Sequence, residues 1–402
     1  CAMRKIVLFL LCVWTWEMSA QKLESNPVGY RFTDTKVLPC TSVKHQEYSG
    51  TCWSFSGLSF LESEIMRMGK DSVNLSPMWI VRCAYIEKAV KFVRMHGKGV
   101  FSPGGSTGDI FNIVRKYGLV PAEAYPGLNY GTKEHKHAEL DAALRGYITA
   151  IARDPNKGLT TAWLPGFEAI LDVYMGSAPA SFVYRGKEYT PQSFREFLEI
   201  EPDEYVAVTS FTHHPFYMPF AIEVEDNWDW GMSWNLPLDD FSALFEQVLL
   251  KGYTIYWCAD VTEASFASTK GYAVIPMITE ENVDPEEKEK YLAMNSVQQR
   301  MFVLNKRRPG KEVKITQELR QKGFDTFATT DDHGMHIVGL GIDQIGNKYC
   351  KVKNSWGERG QDYKGFFYAS YPYVAYKTIN MVIHKKALPE HIRKKFKAYS
   401  VF

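Results

Sequence analysis

The amino-acid sequence predicts an α+β fold in which a helical region comes first, a β-rich region comes last, and a long mixed insertion lies between them. Three observations carry this. Leu58, Leu61, Ile65 and Met68 recur three and four positions apart, one apolar helical face that opens at Cys52 and stops at Gly69. The stretches 336–342, 349–353, 365–371 and 378–383 read as strands broken by glycine-containing turns. Between these regions, at about 131–318, the pattern is mixed, and no internal repeat is evident.

In chain order, Met3-Arg4-Lys5 precedes the apolar run 6–16, with Ala20 as a small residue before a cleavage point. This is the pattern of a secretory leader over residues 1–20, too short to span a bilayer. It predicts an exported protein, periplasmic or extracellular, with one domain over residues 21–402. Residues 21–47 are short and turn-rich, with Asn26-Pro27 and Leu38-Pro39 arguing against a long helix. Within about 46–130, further helical patterns run over 76–95 and from Ile110 to Tyr117, separated by the loop 102–108. The insertion holds charged helical patterns near 134–151 and 285–301 and an aromatic, turn-rich segment at 227–234. The β-rich region spans about 319–390, and residues 391–402 form a basic tail.

Composition bounds the function only loosely. The chain has 47 basic and 46 acidic side chains and a net charge of +1, so no overall field draws it to nucleic acid or an anionic membrane. The basic tail reads as a solvated helix end rather than a nucleic-acid contact. After the leader no run of about 18 apolar residues occurs, so no membrane span is expected. Of seven cysteines, Cys40, Cys52, Cys83, Cys258 and Cys350 follow the leader. An odd number leaves at least one free thiol, and the other four can form two bridges or none.

The chemistry gathers around Cys52. It follows a glycine turn and begins a helix, where unpaired N–H groups and the positive end of the helix dipole favour thiolate. A cysteine so placed is more often a buried structural thiol, but two features change that reading. Gln46 can set a side-chain amide beside the Cys52 N–H to form an oxyanion hole. Far downstream, His336 opens one strand and Asn354 ends the next, so adjacent strands bring an acid–base imidazole and an orienting amide together. His333 and His336 with Asp331 and Asp332, His213-His214, and 134–137 all lack a convincing ligand set, so no metal and no cofactor is expected.

Gln46, Cys52-Trp53, His336 and Asn354-Ser355-Trp356-Gly357 resemble the papain family in kind and order. The resemblance implies a papain-like fold with a helical subdomain carrying the cysteine and a β-rich subdomain carrying the histidine and asparagine. It also implies cysteine peptidase activity on peptide substrates. Gly104-Gly105 resembles the glycine pair of the cleft wall and Trp356 is placed over the Asn354–His336 contact; these three and Trp53 are expected to bound the substrate. Two departures stand out. Ser49 replaces the upstream cysteine, and the histidine lies about 280 residues after Cys52, where the simple enzymes place it about 130 to 150 residues on.

That insertion and the closing pattern at 371–389 are similar to the bleomycin hydrolase and aminopeptidase C branch, most closely at 46–64 and 334–391 and most loosely at about 130–290. The branch implies removal of N-terminal residues by a hexamer with a C-terminal arm in each cleft. Here the segment after Pro389-Glu390-His391 is a short basic tail, so an endopeptidase with an open cleft stays as an alternative. An acyltransferase and an inactive scaffold used for binding are weaker readings, because all four polar site residues are kept.

Overall fold

The structure is a computed structural model that describes residues 29–153 and 158–399; the leader at 1–20 lies outside the described residues. The first strand, β1 (Phe32–Val37), falls in the stretch that the sequence marks only as turn-rich. Helices α1 (Cys52–Arg67), α2 (Pro77–Arg94) and α3 (Thr107–Tyr117) follow where apolar periodicity places them. Their starts are chemically marked. Ser76 accepts from the Trp79 N–H with Pro77 just inside α2, and Ser106 and Asp109 close a capping box on α3.

The long middle segment begins with α4 (Ala138–Ala152), α5 (Trp163–Met175), the hairpin β2 (Phe182–Tyr184) and β3 (Lys187–Tyr189), and α6 (Pro191–Leu198). It continues through β4 (Tyr205–Thr209), β5 (Pro219–Ala221), β6 (Met232–Asn235), α7 (Leu238–Leu250) and β7 (Ile255–Ala259). Short strands β8 (Phe266–Ala267) and β9 (Tyr272–Ala273) precede α8 (Lys288–Leu292) and α9 (Ser296–Asn305). The single helical pattern at 285–301 is thus two helices, because Asn295 caps a new start by accepting from the Gln298 N–H.

After α10 (Gln317–Asp325) come β10 (His333–Asp343), β11 (Lys348–Lys353), β12 (Phe366–Ser370), α11 (Tyr371–Lys377), β13 (Thr378–His384) and α12 (Glu390–Tyr399). The main sheet runs β5-β6-β4-β13-β7-β10-β11-β12-β9-β8, with β1 added on β10. Six of these strands come from the segment at 131–318, so it is woven into the sheet rather than hung from its edge. The helices of the first half bury Trp53, Phe60, Leu61 and Ile80 in one core, which reaches the sheet at Tyr256 and Val382. A second core, with α7, α11 and α12, gathers Phe241, Trp257, Phe367 and Tyr373. Burying each of these large side chains contributes roughly 1.5–3 kcal/mol, which fixes α1 against β10 and β7.

The register of β10 positions the site. It pairs antiparallel with β11, His336 opposite Lys353, and with β7, Gly334 opposite Cys258. Among the described residues no helix is long and apolar enough to cross a membrane. Cys40, Cys83, Cys258 and Cys350 are free thiols, as is Cys52.

Candidate active site at the junction of α1 and β10

Cys52 is the first residue of α1, capped by Thr51 with no side-chain hydrogen bond, and the residue is half-buried. The Gly334 N–H on β10 donates to its Sγ at 3.4 Å. Only glycine permits that approach, since a Cβ at 334 would stand 2.7 Å from Ser56 Oγ and 3.0 Å from Trp53 Cα. Burial pushes the thiol up to about 12, while N–H groups of Gly334 and Trp53 pull it back and Asp331 and Asp226 raise it further.

The imidazole facing Asn354 is that of His333, which corrects the expectation of His336. His333 Nε2 lies 2.7 Å from Asn354 Oδ1, and the Ser355 N–H donates to the same oxygen at 2.8 Å. Two donors on one oxygen fix the amide orientation and require the imidazole proton on Nε2. Nδ1 of the neutral ring is then the lone pair available to a thiol proton. Trp356 stacks on this ring at 4.5 Å and shields the hydrogen bond from water, as expected of its position, but over His333. Burial holds the imidazole down to about 4, partly countered by Asn354.

His336 serves a different purpose. Its Nδ1 is 2.8 Å from Ser59 Oγ, which also takes the Lys353 ammonium at 2.8 Å, and its ring meets Phe60 edge-on. Its Nε2 is buried with no partner among the described residues. The reason is strand alternation. Asn354 follows Lys353, the partner of His336, so its position is opposite Met335, whose face of β10 carries His333 and not His336. The parity shows only once the two strands are set in register.

Gln46 is buried beside the site. Its Oε1 accepts from Ser355 Oγ at 2.6 Å and its backbone N–H donates to Ser355 O, which leaves the side-chain NH2 as a donor. Trp53, expected at the substrate surface, is instead buried behind it, its Nε1–H donating to Pro103 O at 2.9 Å. A Cβ at Gly105 would stand 2.8 Å from the Trp53 ring, so Trp53 shapes the glycine wall from the rear. Gly104 is not an open wall either, because the Asp226 carboxylate lies directly against its Cα.

The described residues offer one group with metal-ligand types, His213, His214 and Glu223. Both imidazole Nε2 atoms already bond Glu223, at 3.1 and 2.9 Å. Gln321 takes the Thr212 N–H on Oε1 and so turns its NH2 to His213 Nδ1, which places the His213 proton on the Nε2 a metal would need. The arrangement is a hydrogen-bonded cluster.

A thiol at a helix start, an oriented imidazole and a spare amide donor can together form and break a thioester. Comparison with known proteins agrees. Residues 30–159 match the model of the papain family of cysteine proteases, and residues 312–401 match that of the peptidase C1-like family. Aminopeptidase G of Lactobacillus delbrueckii subsp. lactis is 24% identical over 87% of this chain and 82% of its own length. Aminopeptidase C of Lactobacillus helveticus is 23% identical over 87% of this chain and 81% of its own. The crystal structure of PepW from Lactobacillus rhamnosis HN001 superposes with a TM-score of 0.67 at 21% identity, covering 91% of this chain and 85% of that one. One match spans the nucleophile and the other the imidazole and its amide partner, and the chain belongs to the papain family of cysteine peptidases, in its bleomycin hydrolase and aminopeptidase C branch.

Proposed function

We propose that the protein is a cysteine aminopeptidase. The observation that carries the chemistry is the His333–Asn354 hydrogen bond beside a helix-start thiol that Gly334 touches. The choice of the N-terminal end of the substrate is supported by relatives named aminopeptidase and by the covered glycine wall. In this mechanism the Cys52 proton passes to His333 Nδ1 as sulphur attacks the carbonyl carbon. The Cys52 N–H and the Gln46 amide stabilise the oxyanion. His333 then protonates the departing amine, leaving a thioester. Water, losing a proton to His333, attacks that thioester, and the sulphur leaves as thiol when the proton returns.

Cys52→Ala is expected to abolish turnover of aminoacyl reporter substrates while leaving the melting temperature unchanged. A free-amine reporter should outperform its N-acetylated twin, and the opposite preference would favour the endopeptidase reading. Export through the leader at 1–20 belongs to this proposal, supported by its basic start and apolar run, and N-terminal sequencing of secreted protein checks it. So does a hexamer, on the branch resemblance, with light scattering as its check.

A further inference from the structure

The loop between β5 and β6 is fastened to two of the first-half helices. Asn227 closes it on itself, accepting from the Gly231 N–H at 2.8 Å and donating to the carbonyls of Ile222 and Gly231 at 3.0 and 3.1 Å. On α3, Asp109 Oδ2 accepts from Trp228 Nε1–H at 2.6 Å, and the Asn112 side-chain amide donates to Asp229 at 3.1 Å. On α2, Lys91 pairs with Asp229 at 3.1 Å and lies 3.7 Å over the Trp230 ring. The buried Lys88 ammonium, one turn earlier, faces the rings of both Trp53 and Trp228, 5.7 and 5.6 Å from their centroids. Anchors on two helices make this loop a fixed wall rather than a flap.

The residue the wall presents is Asp226. Its carboxylate lies directly against the Gly104 Cα, with both oxygens where a side chain at 104 would begin. Gly105 is closed from the other side, because a Cβ there would stand 2.7 Å from Asp109 Oδ2 and 2.8 Å from the Trp53 ring. The Gly104 carbonyl is also engaged, accepting from the Lys88 ammonium, which donates to Ser102 O as well at 2.8 Å. An extended peptide adds to such a wall through bare backbone. Here the bare Cα is covered and the carbonyl is taken.

This covered point adjoins the nucleophile, since Trp53 behind it follows Cys52 in the first turn of α1. The basic tail is engaged elsewhere. Helix α12 lies against β6 and α7, with Phe396 stacked on Trp234 at 4.1 Å and His391 Nε2 at 3.3 Å from Asp240 Oδ1.

We infer that Asp226 is a specificity-determining residue that acts by its bulk: standing on Gly104, it stops the substrate after the one residue that precedes the scissile bond. The inference deepens the aminopeptidase reading of this site and rests on it. Trp228 is a positioning residue, because its bond to Asp109 sets where the loop lies.

The test follows one ratio, kcat/KM on an acetyl-alanyl-alanyl reporter over kcat/KM on a free-amine alanyl reporter, with iodoacetamide labelling of Cys52 as the measure of an intact site. Asp226→Ala removes the bulk and should raise the ratio by about 10-fold or more, the scale at which pockets discriminate by size. Asp226→Asn keeps the volume and should leave the ratio within about 3-fold of wild type. Trp228→Phe releases the loop from Asp109 and should raise it by less than the alanine variant does. If wild type favours the free alanyl reporter and Asp226→Ala does not shift the ratio, the stop is overturned while the aminopeptidase reading stands. If the alanine and asparagine variants raise the ratio equally, charge and not bulk closes the cleft, and the inference is overturned as well. If wild type already favours the acetylated reporter, the aminopeptidase reading fails first. Should Asp226→Ala lose labelling, Asp226→Ser takes its place and is judged by the same ratio.

Discussion

The two faces of β10 place chemically identical side chains in opposite roles. His333 faces the cleft, where Asn354 fixes its proton on Nε2 and Trp356 covers it. His336 lies under α1, where Ser59, itself taking the Lys353 ammonium, holds Nδ1 and nothing described meets Nε2. Both are buried, and burial holds both below the ordinary histidine range. Burial and an abnormal imidazole therefore do not distinguish an acid–base group from a packing group. What distinguishes them is the partner on each nitrogen and whether the other nitrogen opens on a nucleophile.

The strongest way to break this comparison is to exchange the losses. His333→Ala should lower kcat/KM on an aminoacyl reporter by about 1,000-fold, within the range of general acid–base removal, and change stability little. His336→Leu should do the reverse. It strands the Ser59 hydroxyl that carries the Lys353 ammonium, costing about 2 kcal/mol in denaturant unfolding while kcat/KM stays within a few-fold. Equal activity losses in the two variants would falsify the assignment.

Removing the amide partner sharpens it. Without Asn354 the His333 ring keeps its stack on Trp356 but loses the acceptor that selects its tautomer. Asn354→Ala is expected to lower kcat/KM by roughly 10- to 100-fold, the scale of a misplaced reacting group, with KM nearly unchanged. Asn354→Asp, keeping an acceptor, should recover part of the loss; a variant no better than alanine would show that orientation is not the amide's role.

Cys52 was legible because its cues are local: a glycine turn, a helix start, and Trp53 next to it. Gln46 and Asn354-Ser355-Trp356 were legible for the same reason, and the four strands near the C-terminus lie close to where alternation places them. The choice between His333 and His336 depends on which residue of β10 stands opposite Lys353, a fact of register that a single strand does not contain. Alternation in the sequence starts the strand at 336, which leaves His333 outside it and hides the face that it shares with Asn354. Trp53 departs from the expectation because its ring in the first turn of α1 points back toward Pro103, a contact between distant segments. Asp226 on Gly104 was beyond reach altogether, because it joins segments more than a hundred residues apart through a loop with no motif.

The smallest effect concerns what the two faces share. Each histidine is held neutral when folded and takes a proton near pH 6.5 when unfolded, so the unfolded chain binds more protons below that value. The stabilisation is therefore complete above about pH 6.5 and is lost as pH falls, toward about 4 for His333. Asp109, Asp331 and Glu312, each raised to about 7, act in the other direction: their contribution is present below the ordinary carboxylate range and is lost as pH rises through 7. The wild-type curve mixes these terms, but the difference between wild type and a single variant largely cancels them. His333→Gln and His336→Gln should each make the fall in unfolding free energy between pH 6 and 5 shallower by about 1.4 kcal/mol per pH unit, one proton's worth. Equal changes in slope beside unequal changes in rate would show that the faces differ in chemistry and not in burial; a slope altered by only one variant would mean that the other imidazole is already charged in the folded protein.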